Sequence, residues 1–142
     1  MKYLLDTNIL SYLLKGRGGN IITRLSTIDC QDIYVPSIAY CELLFGAKRI
    51  GNQKLTEAIE SLVSPFKIVP FTRKEASVYA LIRNDLEQKG TPIGAMDLLI
   101  AAIAVAGNYT LVSHNCDEFK RVESLLLEDW TCDKTFIESK PR

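Results

Sequence analysis

Asp6, Glu42 and Asp97 each interrupt an apolar run. Asp6 closes Tyr3-Leu4-Leu5 and is followed by Thr7-Asn8. Glu42 lies inside Ser37-Ile38-Ala39-Tyr40-Cys41-Glu42-Leu43-Leu44-Phe45-Gly46, and Asp97 separates Met96 from Leu98-Leu99-Ile100-Ala101-Ala102-Ile103-Ala104. An ionised carboxylate among hydrophobes is costly unless it is paired or coordinates a cation. Three of them in one small chain point to a shared cation site. A fourth acid, Asp117 or Glu118, is available in Val112-Ser113-His114-Asn115-Cys116-Asp117-Glu118-Phe119, with Ser113 and Asn115 as neutral oxygen donors. Such an oxygen-rich set suits Mg²⁺ or Mn²⁺; nothing in the chain offers the nitrogen and sulfur ligands of a zinc site.

Each acid also has a plain structural reading. Asp6 could cap a helix, and Asp97 in isolation is better read as a helix N-cap than as a ligand. Glu42, in a helix interior between Cys41 and Leu43, has no obvious partner. The combination favours chemistry.

The elements that must position these residues alternate. Lys2–Leu5 reads as a strand and Asn8–Lys15 as a helix, broken at Gly16-Arg17-Gly18-Gly19, with Thr7 or Asn8 as its expected cap. Ile21–Ile28 reads as a helix and Ile33–Val35 as a strand stopped by Pro36. Ser37 is the expected cap of the helix carrying Glu42. Gln53–Val63 is amphipathic, and Phe66–Phe71 reads as a third strand. Thr72-Arg73-Lys74-Glu75 matches a capping box opening a helix to about Lys89, with Gly90 as its stop. Thr110–Ser113 and Leu125–Leu127 are the fourth and fifth strands. Strands alternating with helices indicate an α/β fold with a parallel sheet covered on both faces. Ligands in such sheets bind at strand carboxyl ends near a topological switch point, which is where Asp6 and Ser113 fall.

Composition constrains the function class. The 142 residues suit one domain, and 47% hydrophobic with 24% charged residues is ordinary for a globular protein. Zero formal net charge argues against a generally basic nucleic-acid coat, while leaving room for a local basic face. Arg17 and Lys48-Arg49, near the ends of acid-bearing segments, are the best-placed cations for contacting phosphates. The four cysteines show no CxxC pair and read as reduced thiols. No apolar stretch is long enough for a signal peptide or membrane span, so a cytoplasmic protein is expected. Tyr12, Tyr40 and Phe45 fall on apolar faces and read as core or dimer contacts. His114, the lone histidine, reads as a bystander.

Leu4-Leu5-Asp6-Thr7-Asn8, Ser37-Ile38 with Glu42-Leu43 and Gly46, Asp97 with Ile100-Ala101-Ala102, and Ser113-His114-Asn115 with Glu118-Phe119 and Glu128-Asp129-Trp130 resemble, in that order, the PIN-domain ribonucleases. Within them the resemblance is to the VapC toxin branch, and it runs from Met1 to about Trp130. It implies a three-layer sandwich with a central, mainly parallel sheet of about five strands flanked by helices. Residues 1–130 would form the PIN domain and 131–142 a C-terminal tail. It makes Asp6, Glu42 and Asp97 metal-coordinating acids and Glu118 the fourth acid, with Asp117 a bystander and Thr7, Ser113 and Asn115 in support. Ser113 stands where the family usually has threonine, and Glu118 where many relatives have aspartate.

The resemblance further implies Mg²⁺ as cofactor, with Mn²⁺ as a substitute, and hydrolysis of RNA phosphodiesters by an activated water. A VapB-type antitoxin and a second copy of the chain are the implied partners. The segment Lys89–Gly94 is similar to the subset that cuts transfer RNA, including initiator transfer RNA in its anticodon stem-loop. Three other readings compete. A phosphatase of the haloacid dehalogenase type would need an acid where Asn8 stands, and a receiver domain would need a paired acid at its first-strand site. A non-catalytic PIN-like binding module would have lost one of the acids.

Overall fold

A computed structural model of the chain describes residues 1–132 and 136–137. Strand β1 (Tyr3–Leu5) leads to α1 (Thr7–Leu14), α2 (Gly19–Leu25), a 3-10 turn (Cys30–Asp32) and β2 (Ile33–Pro36). Helices α3 (Ser37–Arg49) and α4 (Gln53–Val63) precede β3 (Lys67–Val69). After it come α5 (Arg73–Gln88), α6 (Ala95–Ala106), β4 (Thr110–Val112), the single turn α7 (Cys116–Phe119), β5 (Leu126–Glu128) and β6 (Phe136–Ile137).

The sheet runs β3-β2-β1-β4-β5-β6, parallel throughout except for the antiparallel pairing of β6 on β5. All residues of β1 and of β4 are buried, the continuous apolar pattern of strands covered on both faces. Crossovers from β1 to β2 to β3 step one way across the sheet, and that from β3 to β4 steps back past β1. Right-handed connections therefore place α1–α4 on one face and α5–α6 on the other. The order reverses between β1 and β4, which makes their carboxyl ends the switch-point crevice.

Helix α6 is apolar around most of its circumference, with Leu98, Ile100, Ala101, Ala102, Ile103 and Ala104 buried. Asp97 is its one charged residue. Trp130, fully buried just past β5, packs its ring against Tyr3 at 5.2 Å and donates its indole N–H to Glu128 at 3.0 Å. Among the described residues no helix is long and apolar enough to cross a membrane.

Several local expectations shift. Asp6 itself caps α1, its carboxylate accepting the Thr7 N–H, so neither Thr7 nor Asn8 does. Ser37 is already the first residue of α3; Pro36, extended at φ −67°, holds the cap position with no side-chain hydrogen bond. Gly94 is the N-cap of α6, which puts Asp97 inside the first turn rather than at the cap. Helix α2 stops at Leu25, short of Ile28.

The capping box at Thr72 forms as expected, Glu75 accepting the Thr72 backbone N–H at 2.8 Å and its hydroxyl at 2.5 Å. Phe45 is not a core residue: it is 64% exposed on the outer side of α3, with the Arg49 guanidinium 5.6 Å above its ring. Within the expected tail, Phe136–Ile137 pair with β5, and residues 133–135 and 138–142 lie outside the described residues.

Candidate active site

The site is built where β1 and β4 end side by side. Their register sets Leu5 beside Val112, so the next residues along, Asp6 and Ser113, emerge together. Asp6 is 3% exposed. Its Oδ1 accepts the Thr7 N–H at 2.8 Å and its Oδ2 accepts the Ser113 hydroxyl at 2.7 Å. Burial raises the Asp6 pKa, opposed by these two hydrogen bonds, with the Glu42 charge adding to the rise. Thr7 reaches the other way as well, its hydroxyl donating to Glu42 Oε1 at 2.9 Å. Helix α3 thereby delivers Glu42 to the end of β1 from the side.

The second half of the cluster hangs on Asn115. One side-chain amide nitrogen donates to Asp97 Oδ2 at 2.8 Å and to Glu118 Oε2 at 2.7 Å. Its backbone N–H donates to the Ser113 oxygen at 2.9 Å, closing a path from Asp6 through Ser113 and Asn115 to Asp97. Glu118 Oε1 also accepts the Gly94 N–H at 3.2 Å.

Asp97 and Glu118 titrate as a pair. Burial, a hydrogen bond with Glu118 and the charges of Asp6 and Glu118 push Asp97 up to about 7. The same hydrogen bond from Asp97, with that of Asn115, holds Glu118 below the usual carboxylate range.

Asp6, Glu42, Asp97 and Glu118 are thus brought together, with Thr7, Ser113 and Asn115 as the supports expected; Asp117 is exposed and takes no part. Among the described residues, no lysine, arginine or histidine forms an ion pair with any of the four acids. Burial and neighbouring carboxylate charge disfavour the ionised forms of Asp6 and Asp97, and a hard divalent cation is the partner that relieves them. The donor chemistry fits Mg²⁺ or Mn²⁺. The side chains as they stand are a hydrogen-bonded chain rather than a closed cage: among the described residues no three His, Cys, Asp or Glu groups already surround one point.

Two features were not anticipated from sequence. The Gly94 N–H is a backbone donor with no side chain to announce it. Asp129, 8% exposed, accepts from Thr131 and lies 3.0 Å from His114 Nδ1. Its position directly after β5, matching that of Asp6 after β1, was the available signal.

The family model described as PIN domain matches residues 3–125. The chain is 36% identical to Ribonuclease VapC2 of Rickettsia felis, across 92% of this chain and 98% of that one. It is 29% identical to the tRNA(fMet)-specific endonuclease VapC of Salmonella typhimurium, over 92% and 98%. A solved structure of VapBC2 from Rickettsia felis bound to a DNA fragment from their promoter superposes with a TM-score of 0.86 at 35% identity, covering 92% of this chain and 99% of that one.

Proposed function

This chain belongs to the PIN-domain family, in its VapC ribonuclease branch, and from that premise we propose that it is a Mg²⁺-dependent endoribonuclease, the toxin of a VapBC-type pair, acting on transfer RNA. The observation that carries the proposal is the set of four acids meeting at the switch point with, among the described residues, no cationic side chain in an ion pair with them. Asp6, Glu42 and Asp97 are the residues that would hold the ion, with Mn²⁺ as a substitute.

When bound, the ion supplies charge stabilisation to the phosphodiester and activates a water for in-line attack. The chain's own residues provide positioning. Thr7 and Ser113 fix both oxygens of Asp6, leaving lone pairs on each for a ligand. Asn115 bridges Asp97 and Glu118, and because the Asp97 pKa is raised, binding of a cation there competes with protonation. Glu118, tied to the Gly94 N–H and kept ionised, is placed to orient the attacking water. No protein nucleophile is required, and the expected products carry a 5′-phosphate and a 3′-hydroxyl.

Transfer RNA as substrate rests on the Salmonella typhimurium relative and on Lys89–Gly94, with the initiator transfer RNA anticodon stem-loop as the leading target. A VapB-type antitoxin is the proposed partner, supported by the VapBC complexes among similar structures, and a homodimer is proposed beside it. The test is induced expression of the chain in a bacterial host, with sequencing of 5′-phosphate RNA ends. Cuts should concentrate in one transfer RNA and vanish with Asp97→Asn. Cuts scattered through messenger RNA would overturn the substrate assignment.

A further inference from the structure

His114 and Asp129 stand at the same carboxyl edge of the sheet as the acids. β4 and β5 pair Val112 with Glu128, so His114 lies two residues and Asp129 one residue beyond that register. Asp129 Oδ2 lies 3.0 Å from His114 Nδ1. Asp129 Oδ1 accepts the Thr131 N–H at 2.9 Å and its hydroxyl at 2.6 Å. The Thr131 oxygen is itself 3.0 Å from His114 Nδ1.

Donor counting fixes the ring. Burial pushes the Asp129 pKa up, but its hydrogen bonds to Thr131 and His114 prevail and hold it below its ordinary value, so it is an acceptor only. The one hydroxyl hydrogen of Thr131 already goes to Asp129, which leaves its oxygen as an acceptor toward the ring. Both neighbours of Nδ1 accept, so Nδ1 carries the proton. With Nδ1 as the protonated nitrogen, the neutral form of the ring presents Nε2 as a bare lone pair. The ring is further placed by the His114 backbone N–H, which donates to Asn8 Oδ1 at 3.3 Å, and by edge contact with Tyr12 at 5.9 Å. Its side chain remains 52% exposed, one residue from the serine that holds Asp6.

An RNA backbone offers phosphate oxygens, which only accept, and the 2′-hydroxyl, which can donate. A lone-pair nitrogen is matched to the second. We propose that His114 Nε2 accepts a hydrogen bond from a ribose 2′-hydroxyl of the bound RNA, with Asp129 and Thr131 as positioning residues. His114 is then the residue that distinguishes RNA from DNA at one nucleotide beside the cut. The inference rests on the ribonuclease reading.

The test uses an oligoribonucleotide hairpin containing the mapped cut, and a series in which single nucleotides flanking it are 2′-deoxy. With Mg²⁺, the wild-type protein should lose about three- to tenfold in cleavage rate at one deoxy position, the worth of one hydrogen bond. His114→Ala should slow the all-ribose hairpin by that factor and be insensitive to deoxy substitution at that position. His114→Gln, whose amide oxygen can accept, should recover part of both. Thermal melts confirm that these exposed-site variants fold. A deoxy penalty unchanged in His114→Ala, or equal slowing of every substrate, overturns the inference; the second pattern is that of a phosphate contact or a structural role. Cleavage by the wild type with no deoxy penalty at any position overturns this inference alone. No metal-dependent cleavage by folded protein removes the ribonuclease reading, and this inference with it.

Discussion

The Ser113 hydroxyl donates to Asp6 Oδ2 at 2.7 Å, so one fully buried hydrogen bond ties the ends of β4 and β1 across the switch point. The same oxygen accepts the Asn115 N–H, which links the Asp6 half of the cluster to the Asp97 half. Ser113→Ala removes a donor from a buried carboxylate, at a cost of about 1.5–3 kcal/mol. A thermal melt should show a fall in Tm of roughly 5–10 °C. Cleavage should fall at least tenfold even at temperatures where the variant is folded.

The Asp97–Glu118 pair makes metal-free stability depend on pH. A carboxyl whose folded pKa lies above its unfolded value stabilises the fold in its protonated form. For Asp97 that contribution is full below about 3.8 and is lost as pH rises through about 7. The metal-free protein should therefore melt lower at pH 8 than at pH 5.5, and Mg²⁺ should raise Tm more at pH 8. Asp97→Asn should flatten this dependence. Calorimetric melts with and without EDTA would measure both effects.

Gly94 is a place where room, not backbone strain, matters. A methyl group there would stand 3.7 Å from Asp97 Oδ2 and 4.0 Å from Glu118 Oε1, ordinary contact distances. Its φ of −57° and ψ of 149° are open to alanine. Gly94→Ala should keep its Tm within about 2 °C yet lose roughly tenfold in cleavage rate, because the methyl displaces water or phosphate from the acids. Equal losses in stability and activity would contradict this.

Thr72→Ala separates fold from chemistry. It removes the hydroxyl that Glu75 accepts at the start of α5, far along the chain from the acids. Loss of such a cap costs about 1 kcal/mol. Tm should drop by roughly 3–5 °C, with the cleavage rate per folded molecule unchanged.

Much of this site is legible from local pattern. Asp6 after an apolar triplet, Asp97 within an otherwise apolar helix and Glu42 without a local partner each mark themselves by the cost of burying charge. The Thr72 capping box and the Gly90 stop are likewise short-range signals. Asn115 bridging Asp97 and Glu118 was not readable, since it depends on how far α7 turns back toward α6. Nor was the pairing of Asp129 with His114, which follows from the β4–β5 register and sets residues 15 apart side by side. Of the two readings of Phe45, core or dimer contact, only the core one fails, because α3 leaves the ring exposed beneath Arg49.

The measurement closest to the central claim is cleavage of purified transfer RNA by the purified protein, with Mg²⁺, with EDTA, and with Asp6→Asn in place of the wild type. Discrete cuts leaving 5′-phosphate ends, present only for wild type with Mg²⁺, are the predicted result. Cuts that persist in EDTA or in Asp6→Asn, or a folded wild-type protein that cuts no RNA, would contradict it.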